Sequence, residues 1–166
     1  MGRRYILSGE NLTLGTGNVL AAIQSAAAGS AGAILGIERI EVSQNHNATA
    51  AQVRLAAGTR DTAGTLTMTS ATPRNIVLGG PASGISGNTA PAGGTARCGV
   101  NSSADSGGTY TDVYPLNPNN LNGMSWLYVP DHKLIVPPST LFEVRFLAAP
   151  GDTAGWTVSV WFDEIY

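Results

Sequence analysis

The sequence predicts an all-β protein built from antiparallel strands. Three observations carry that expectation. Apolar and polar residues alternate with period two in several separate segments, which is the pattern of half-buried strands. The tetrapeptide DTAG occurs twice, at Asp61–Gly64 and Asp152–Gly155, each time between two such segments. Only 12% of residues are charged while 43% are hydrophobic, so Thr, Ser, Asn, Gly and Ala must cover much of the surface. A chain of 166 residues is the size of one domain with a real core, and low charge at this apolar content argues against disorder.

Along the chain, residues 18–29 (NVLAAIQSAAAG) are two-sided. Their alanines suit a helix capped at Thr16 or Asn18, yet Val19, Ala21 and Ile23 alternate, and the β neighbourhood favours a strand. In 34–43, Leu35 and Ile37 share one phase and Ile40 and Val42 the other. The slip at Glu38-Arg39 predicts a β-bulge or a strand covered on both faces. Ala51, Val53, Leu55 and Ala57 alternate before the first DTAG, and Leu66 and Met68 after it. Phe142, Val144 and Phe146 precede the second DTAG, and Trp156, Val158, Val160 and Phe162 follow it. Each DTAG is therefore expected as a hairpin connection, with Asp accepting a backbone N–H two residues on and Gly taking positive φ. One carboxylate per turn is too few for a calcium loop.

Residues 79–109 are rich in Gly, Ser, Ala, Asn and Thr and read as a long loop region, held against neighbouring subunits. Residues 124–129 (MSWLYV) and 133–136 (KLIV) are short strands, and Pro137-Pro138 marks a corner.

Catalytic chemistry is not expected. His46 and His132 sit in polar, turn-like contexts, and Cys98 has no recognisable base beside it. Asp163 and Glu164 are adjacent on a strand and so point to opposite faces, unable to flank one bond together. No catalytic, cofactor or metal residue is assigned. The net charge of −2 and the absence of a basic stripe argue against nucleic acid, no apolar run is long enough to span a membrane as a helix, and the N-terminus lacks a signal peptide. Trp161 and Ile165 fall in the outward phase of the last strand, and exposed aromatics on a charge-poor face mark an interface. A last strand buried on both faces is an equal alternative for Trp161, and a sugar-stacking platform using Trp126, Tyr128 or Trp161 is a further one.

The order of segments resembles small β-sandwich structural proteins of tailed bacteriophages. The residues that carry the resemblance are Arg39–Ser43, Ala51–Ala57, Thr62–Thr67, Thr72-Pro73, Val136–Ser139, Arg145–Pro150 and Phe162–Glu164. It implies a jelly-roll-like sandwich over 18–166, preceded by an arm or edge strand at 1–17. It implies further a capsid decoration protein, made in the host cytoplasm, resident in the virion, trimeric, and bound to the major capsid protein. The interface set that follows is Arg3, Arg4, Tyr5, Trp126, Tyr128, Trp161 and Ile165, with the arginines facing acidic capsid surface. A self-assembling tail, tube or filament subunit is the alternative within the same class.

Overall fold

The segments with period-two alternation are strands, because an extended chain places alternate side chains on opposite faces and only one set can enter the core. A computed structural model describes residues 3–16, 18–45, 49–60, 65–87, 97–129 and 132–165. In chain order the strands are β1 (Arg3–Leu12), β2 (Val19–Gln24), β3 (Ile34–Gln44), β4 (Leu55–Arg60), β5 (Thr65–Ser70), β6 (Arg74–Asn75), β7 (Ser86–Gly87), β8 (Arg97–Ser106), β9 (Tyr110–Leu116), β10 (Met124–Leu127), β11 (Leu134–Val136), β12 (Leu141–Phe146) and β13 (Trp156–Ile165).

They form two packed sheets, a β-sandwich. The first has the order β10-β3-β13-β1-β6, with β11 also on β3; the second has the order β5-β8-β2-β12-β4-β9, with β7 on β8. All pairings are antiparallel except the short β7–β8 contact. The core between the sheets takes Tyr5, Leu7, Leu35, Ile37, Ile40, Val158, Val160 and Phe162 from the first sheet, and Ala21, Ile23, Leu55, Ala57, Phe142 and Val144 from the second.

The phase slip in β3 is a bulge. Trp161 of β13 pairs with Arg39 and Phe162 with Ile37, so Glu38 is the extra residue. It lets Leu35 and Ile37 on one side, and Ile40 and Val42 on the other, all enter the same core. The outer neighbour of β3 breaks at the same place. β10 covers Arg39–Val42, β11 covers Leu35–Ile37, and between them the Tyr128 N–H donates to the Glu38 carbonyl at 2.7 Å.

Residues 3–12, expected as an arm or edge strand, form β1, paired along β13 and bordered by the two-residue β6. Residues 19–24 are a strand, and every residue of it is buried.

Two expectations need correction. The DTAG turns do not make hairpins. The second joins β12 of one sheet to β13 of the other, and the strands flanking the first, β4 and β5, are not neighbours. The turn chemistry itself is present at the second. The Asp152 carboxylate accepts the Ala154 N–H at 2.9 Å, and Gly155 has φ 71°. Asp61–Gly64 lies outside the described residues. Nor is 79–109 a loop throughout: its last third is β8, a ten-residue strand between β2 and β5.

β8 bends, and the bend shapes the molecule. Its first half pairs with β2, while Asn101 and Ser103 are left unpaired opposite β5. Asn101 takes φ 54°, accepts the Gly15 N–H and donates to the Thr13 carbonyl, each at 2.8 Å. Beyond these bulges β5 folds over the outer face of the second sheet, where Leu66 and Met68 pack on Val19, Ala22 and Leu141. The second sheet is thereby buried on both faces, with β5 and the far half of β8 as a flap.

Candidate functional site

The outer face of the first sheet carries the candidate interface. At its centre the bulge residue Glu38, Lys133 at the β10/β11 break, Asp163 of β13 and Arg4 of β1 form a four-member ion cluster. Lys133 Nζ lies 2.6 Å from Glu38 Oε1 and 2.5 Å from Asp163 Oδ2. Arg4 reaches the same carboxylates, at 3.1 and 3.4 Å. Burial lowers the Lys133 pKa, but the hydrogen bonds it donates to Asp163 and Glu38, with their negative charge, outweigh it and hold the ammonium above its usual value. Two cations and two carboxylates leave the centre neutral, so the cluster orders these side chains without presenting a strong field.

Around it the face is apolar. Trp161 pairs with Ile6 and Arg39 on the neighbouring strands, and the Arg39 guanidinium stands 5.0 Å from its ring. Ile135 and Ile165 converge over Gly36. A Cβ at Gly36 would meet Ile165 Cδ1 at 3.2 Å and the Lys133 chain at 3.3 Å, so glycine makes room for the pair. Eight large apolar side chains are exposed among the described residues. Five of them, Ile76, Val77, Leu127, Val129 and Ile135, belong to this face, and Leu78 follows Val77 in the chain. Leu78 is fully exposed. A groove of about 350 Å3 runs between Ile76 and Leu127–Val129 with Arg4, Lys133 and Trp161 along it. A neighbouring hollow of about 560 Å3 lies on the other side of Arg4, against Arg3, Val77, Pro81 and Asp163.

The sequence-predicted interface residues divide accordingly. Arg3, Arg4, Trp161 and Ile165 lie on or beside this face. Tyr5 and Trp126 do not present themselves to it, and Tyr128, though only 5% exposed, lines the groove. Tyr5 is fully buried in the core, 5.8 Å from Phe162, with its hydroxyl donating to the Ala82 carbonyl at 3.1 Å. Trp126 pairs with Ile40 and so turns inward, where it packs against Tyr114 at 4.5 Å and Tyr128 at 6.0 Å. These three rings close the open edge between β10 and β9. Burial pushes the Tyr128 phenol well above its ordinary pKa. The sequence reading missed Ile76–Leu78, Leu127, Val129, Ile135 and the Glu38–Lys133 pair. The signal available was the apolar run IVL directly before Gly79-Gly80.

Asp163 and Glu164 face opposite sides. Asp163 joins the outer cluster, while Glu164 turns inward and accepts hydrogen bonds from the Ser83 hydroxyl and, at 2.9 Å, the Gly84 N–H. His132 is exposed, and His46 lies outside the described residues. Among the described residues no group of three or more His, Cys, Asp and Glu side chains is placed to hold a metal ion. Burial pushes the Cys98 thiol up to about 12, which leaves it protonated and unreactive at neutral pH.

A second polar centre lies beneath the flap. Arg60 of β4 and Glu143 of β12 are each 1% exposed, with Nη2 3.0 Å from Oε1. Arg60 Nη1 also donates to Asp105 of β8, to the Gly107 carbonyl at 3.3 Å and to the Tyr110 hydroxyl at 3.0 Å. The Tyr110 hydroxyl in turn donates to Asp105 at 2.5 Å. Arg145 stacks 3.8 Å from the Tyr110 ring centre and donates to both oxygens of Asp112, at 2.9 and 3.0 Å. Burial pushes the Glu143 carboxyl up to about 7, although Arg60 pulls it the other way.

Compared with protein-family models, curated proteins and solved structures, the chain matches none of them.

Proposed function

We propose that this chain is a virion structural protein of a tailed bacteriophage, a capsid decoration subunit that acts by binding and not by catalysis. The observation that carries the reading is the outer face of the first sheet: five exposed apolar side chains gathered around a neutral ion cluster, with the fully exposed Leu78 next to one of them in the chain. Apolar area with interspersed paired charges suits a protein surface better than a small polar substrate. The resemblance of the segment order to phage β-sandwich proteins supplies the kind of partner, the major capsid protein, and the trimeric state.

Such a subunit works by mass action. Binding only the assembled shell stabilises it by about 2.7 kcal/mol per site at a hundredfold excess over Kd, and many sites sum to a shell that resists internal pressure. The sugar-stacking alternative is weakened because Trp126 and Tyr128 turn into the fold and Arg39 lies over Trp161.

The test is co-sedimentation of the purified protein with capsid shells of the encoding phage, with light scattering to give its mass in solution. The expected result is saturable binding that Trp161→Ala and Leu78→Asp each weaken at least tenfold while both variants stay folded. Polymers formed without shells would replace this reading with a tube or filament subunit, and binding indifferent to both substitutions would overturn the face.

A further inference from the structure

We propose that the cluster of Arg60, Glu143 and Asp105 is a proton-operated latch, in which uptake of one proton by Glu143 tightens the flap of β5 and the far half of β8 against the second sheet. The groups facing Glu143 come from every strand packed around it. β4 supplies Arg60, β8 supplies Asp105, β9 supplies Tyr110 and Asp112, and Arg145 is its neighbour on β12. Gln24 of β2 lies beside it and is neutral. Asp61 follows Arg60 in sequence and lies outside the described residues. Fully ionised, the described groups make three carboxylates against two guanidiniums, an excess of one negative charge, with Arg60 and Glu143 buried and the Arg145–Asp112 pair at the surface.

The hydrogen bonds say which carboxylate carries that excess. Asp105 receives bonds from Arg60 and Tyr110, and Asp112 receives two from Arg145. Neither oxygen of Glu143 accepts a directed hydrogen bond among the described residues, and both are buried. A buried carboxylate held by an ion pair, Arg60 Nη2 at 3.0 Å, without a directed hydrogen bond is more easily neutralised than its two hydrogen-bonded neighbours. With Glu143 neutral, Arg60 and Arg145 balance Asp105 and Asp112 one for one. The latch function follows from connectivity. Asp105, Gly107 and Tyr110 belong to the flap strand β8 and its turn into β9, and all three meet Arg60, which β4 anchors to the sheet.

The sign is that of an acid whose pKa is raised on folding. The closed state holds the extra proton between the ordinary carboxylate range and about 7, so closure is firmest in acid and weakens as pH rises through about 7. Hydrogen–deuterium exchange tests this on the intact chain at pH 5.5 and 8.5, with rates corrected for intrinsic exchange. Protection of peptides from 65–70 and 101–112 is expected to fall on the order of tenfold or more at the higher pH, with peptides from β3 unchanged. Glu143→Gln, which removes the titration and keeps the shape, should hold the flap at its acid-state protection at both pH values. Flap protection that does not depend on pH, or a pH dependence that survives in Glu143→Gln, would overturn the proposal. Carboxyl-carbon NMR of the unaltered protein gives a check that needs no variant: Glu143 should titrate near neutrality, and a midpoint in the ordinary carboxylate range would equally overturn it.

Discussion

Replacing Val160 by Asp should abolish cooperative folding, whereas Trp161→Ala, one residue along the same strand, should leave it intact. Val160 is fully buried, with Leu7 and Ile40 opposite it on the two neighbouring strands. Removing its burial costs ~1.5–3 kcal/mol. The new carboxyl adds a further ~1–3 kcal/mol even when protonated, because its neighbours Leu7 and Ile40 are apolar. The sum, roughly 2.5–6 kcal/mol, matches the lower end of the ~5–15 kcal/mol that holds a typical domain together. Val160→Ala is the graded version, expected to lose about 2 kcal/mol and still fold. Trp161 instead lies on the outer face, and its main named contact is Arg39, so its removal should cost ~0.5–1 kcal/mol. Urea titrations followed by far-ultraviolet circular dichroism measure all three. A stable Val160→Asp beside an unfolded Trp161→Ala would mean that β13 presents its other face to the core, and the placement of the outer site would fall with it.

Three further substitutions or reagents probe separate parts of the fold. Arg60→Met should lose ~3–5 kcal/mol at pH 8, since it strands Glu143 and Asp105 without a cation, and the loss should shrink at pH 5.5 as Glu143 takes up a proton; chemical denaturation at both pH values reads the difference. Gly58→Ala should lose ~1–3 kcal/mol in the same assay, because its Cβ would stand 2.2 Å from the Thr111 carbonyl oxygen and 2.9 Å from Asp112 Cα, both backbone atoms of β9. Cys98, buried with its thiol raised to about 12, should resist alkylation by iodoacetamide at pH 8 until denaturant is added; rapid labelling of the native protein would show that the neighbourhood of β8 opens readily.

The fold was legible wherever large side chains alternate. β12 and β13 could be phased residue by residue, and the slip at Glu38-Arg39 announced the bulge that now seats the outer ion cluster. β8 was not legible, because RCGVNSSADS holds few large side chains and its strand character comes from β2 and β5 on either side. Similarly, DTAG specifies a turn but not what the turn connects, since the same Asx bond serves a hairpin or a crossing between sheets. Among the site residues, Trp161 and Ile165 were placed by phase and lie outside. Tyr5 and Tyr128 were offered without a phase argument; Tyr5 lies in the core against Phe162, and Tyr128 is buried among rings at the edge while still lining the outer groove. The exposed Ile76–Leu78 run sits beside a two-residue strand, too short for periodicity to say which way its side chains face.

The place of β13 governs the order in which the molecule can be made. It follows every other strand in the chain, yet it is the strand that joins β1 to β3 in the middle of the first sheet. Until it is delivered, β1 and β3 each keep an open ladder, and the apolar faces of both have nothing between them. Synthesis can therefore prepare β5-β8-β2 and β4-β9 of the second sheet, but β12 must still join those two parts and β13 must join β1 to β3. Both sheets thus close only with the last two strands, the first sheet drawing on residues more than a hundred positions apart. Pairings of such separation form slowly and leave sticky edges exposed meanwhile. Mistranslation or proteolysis near β13 should thus convert this chain from a folded state into an aggregating one far more readily than the same damage at β6 or β7.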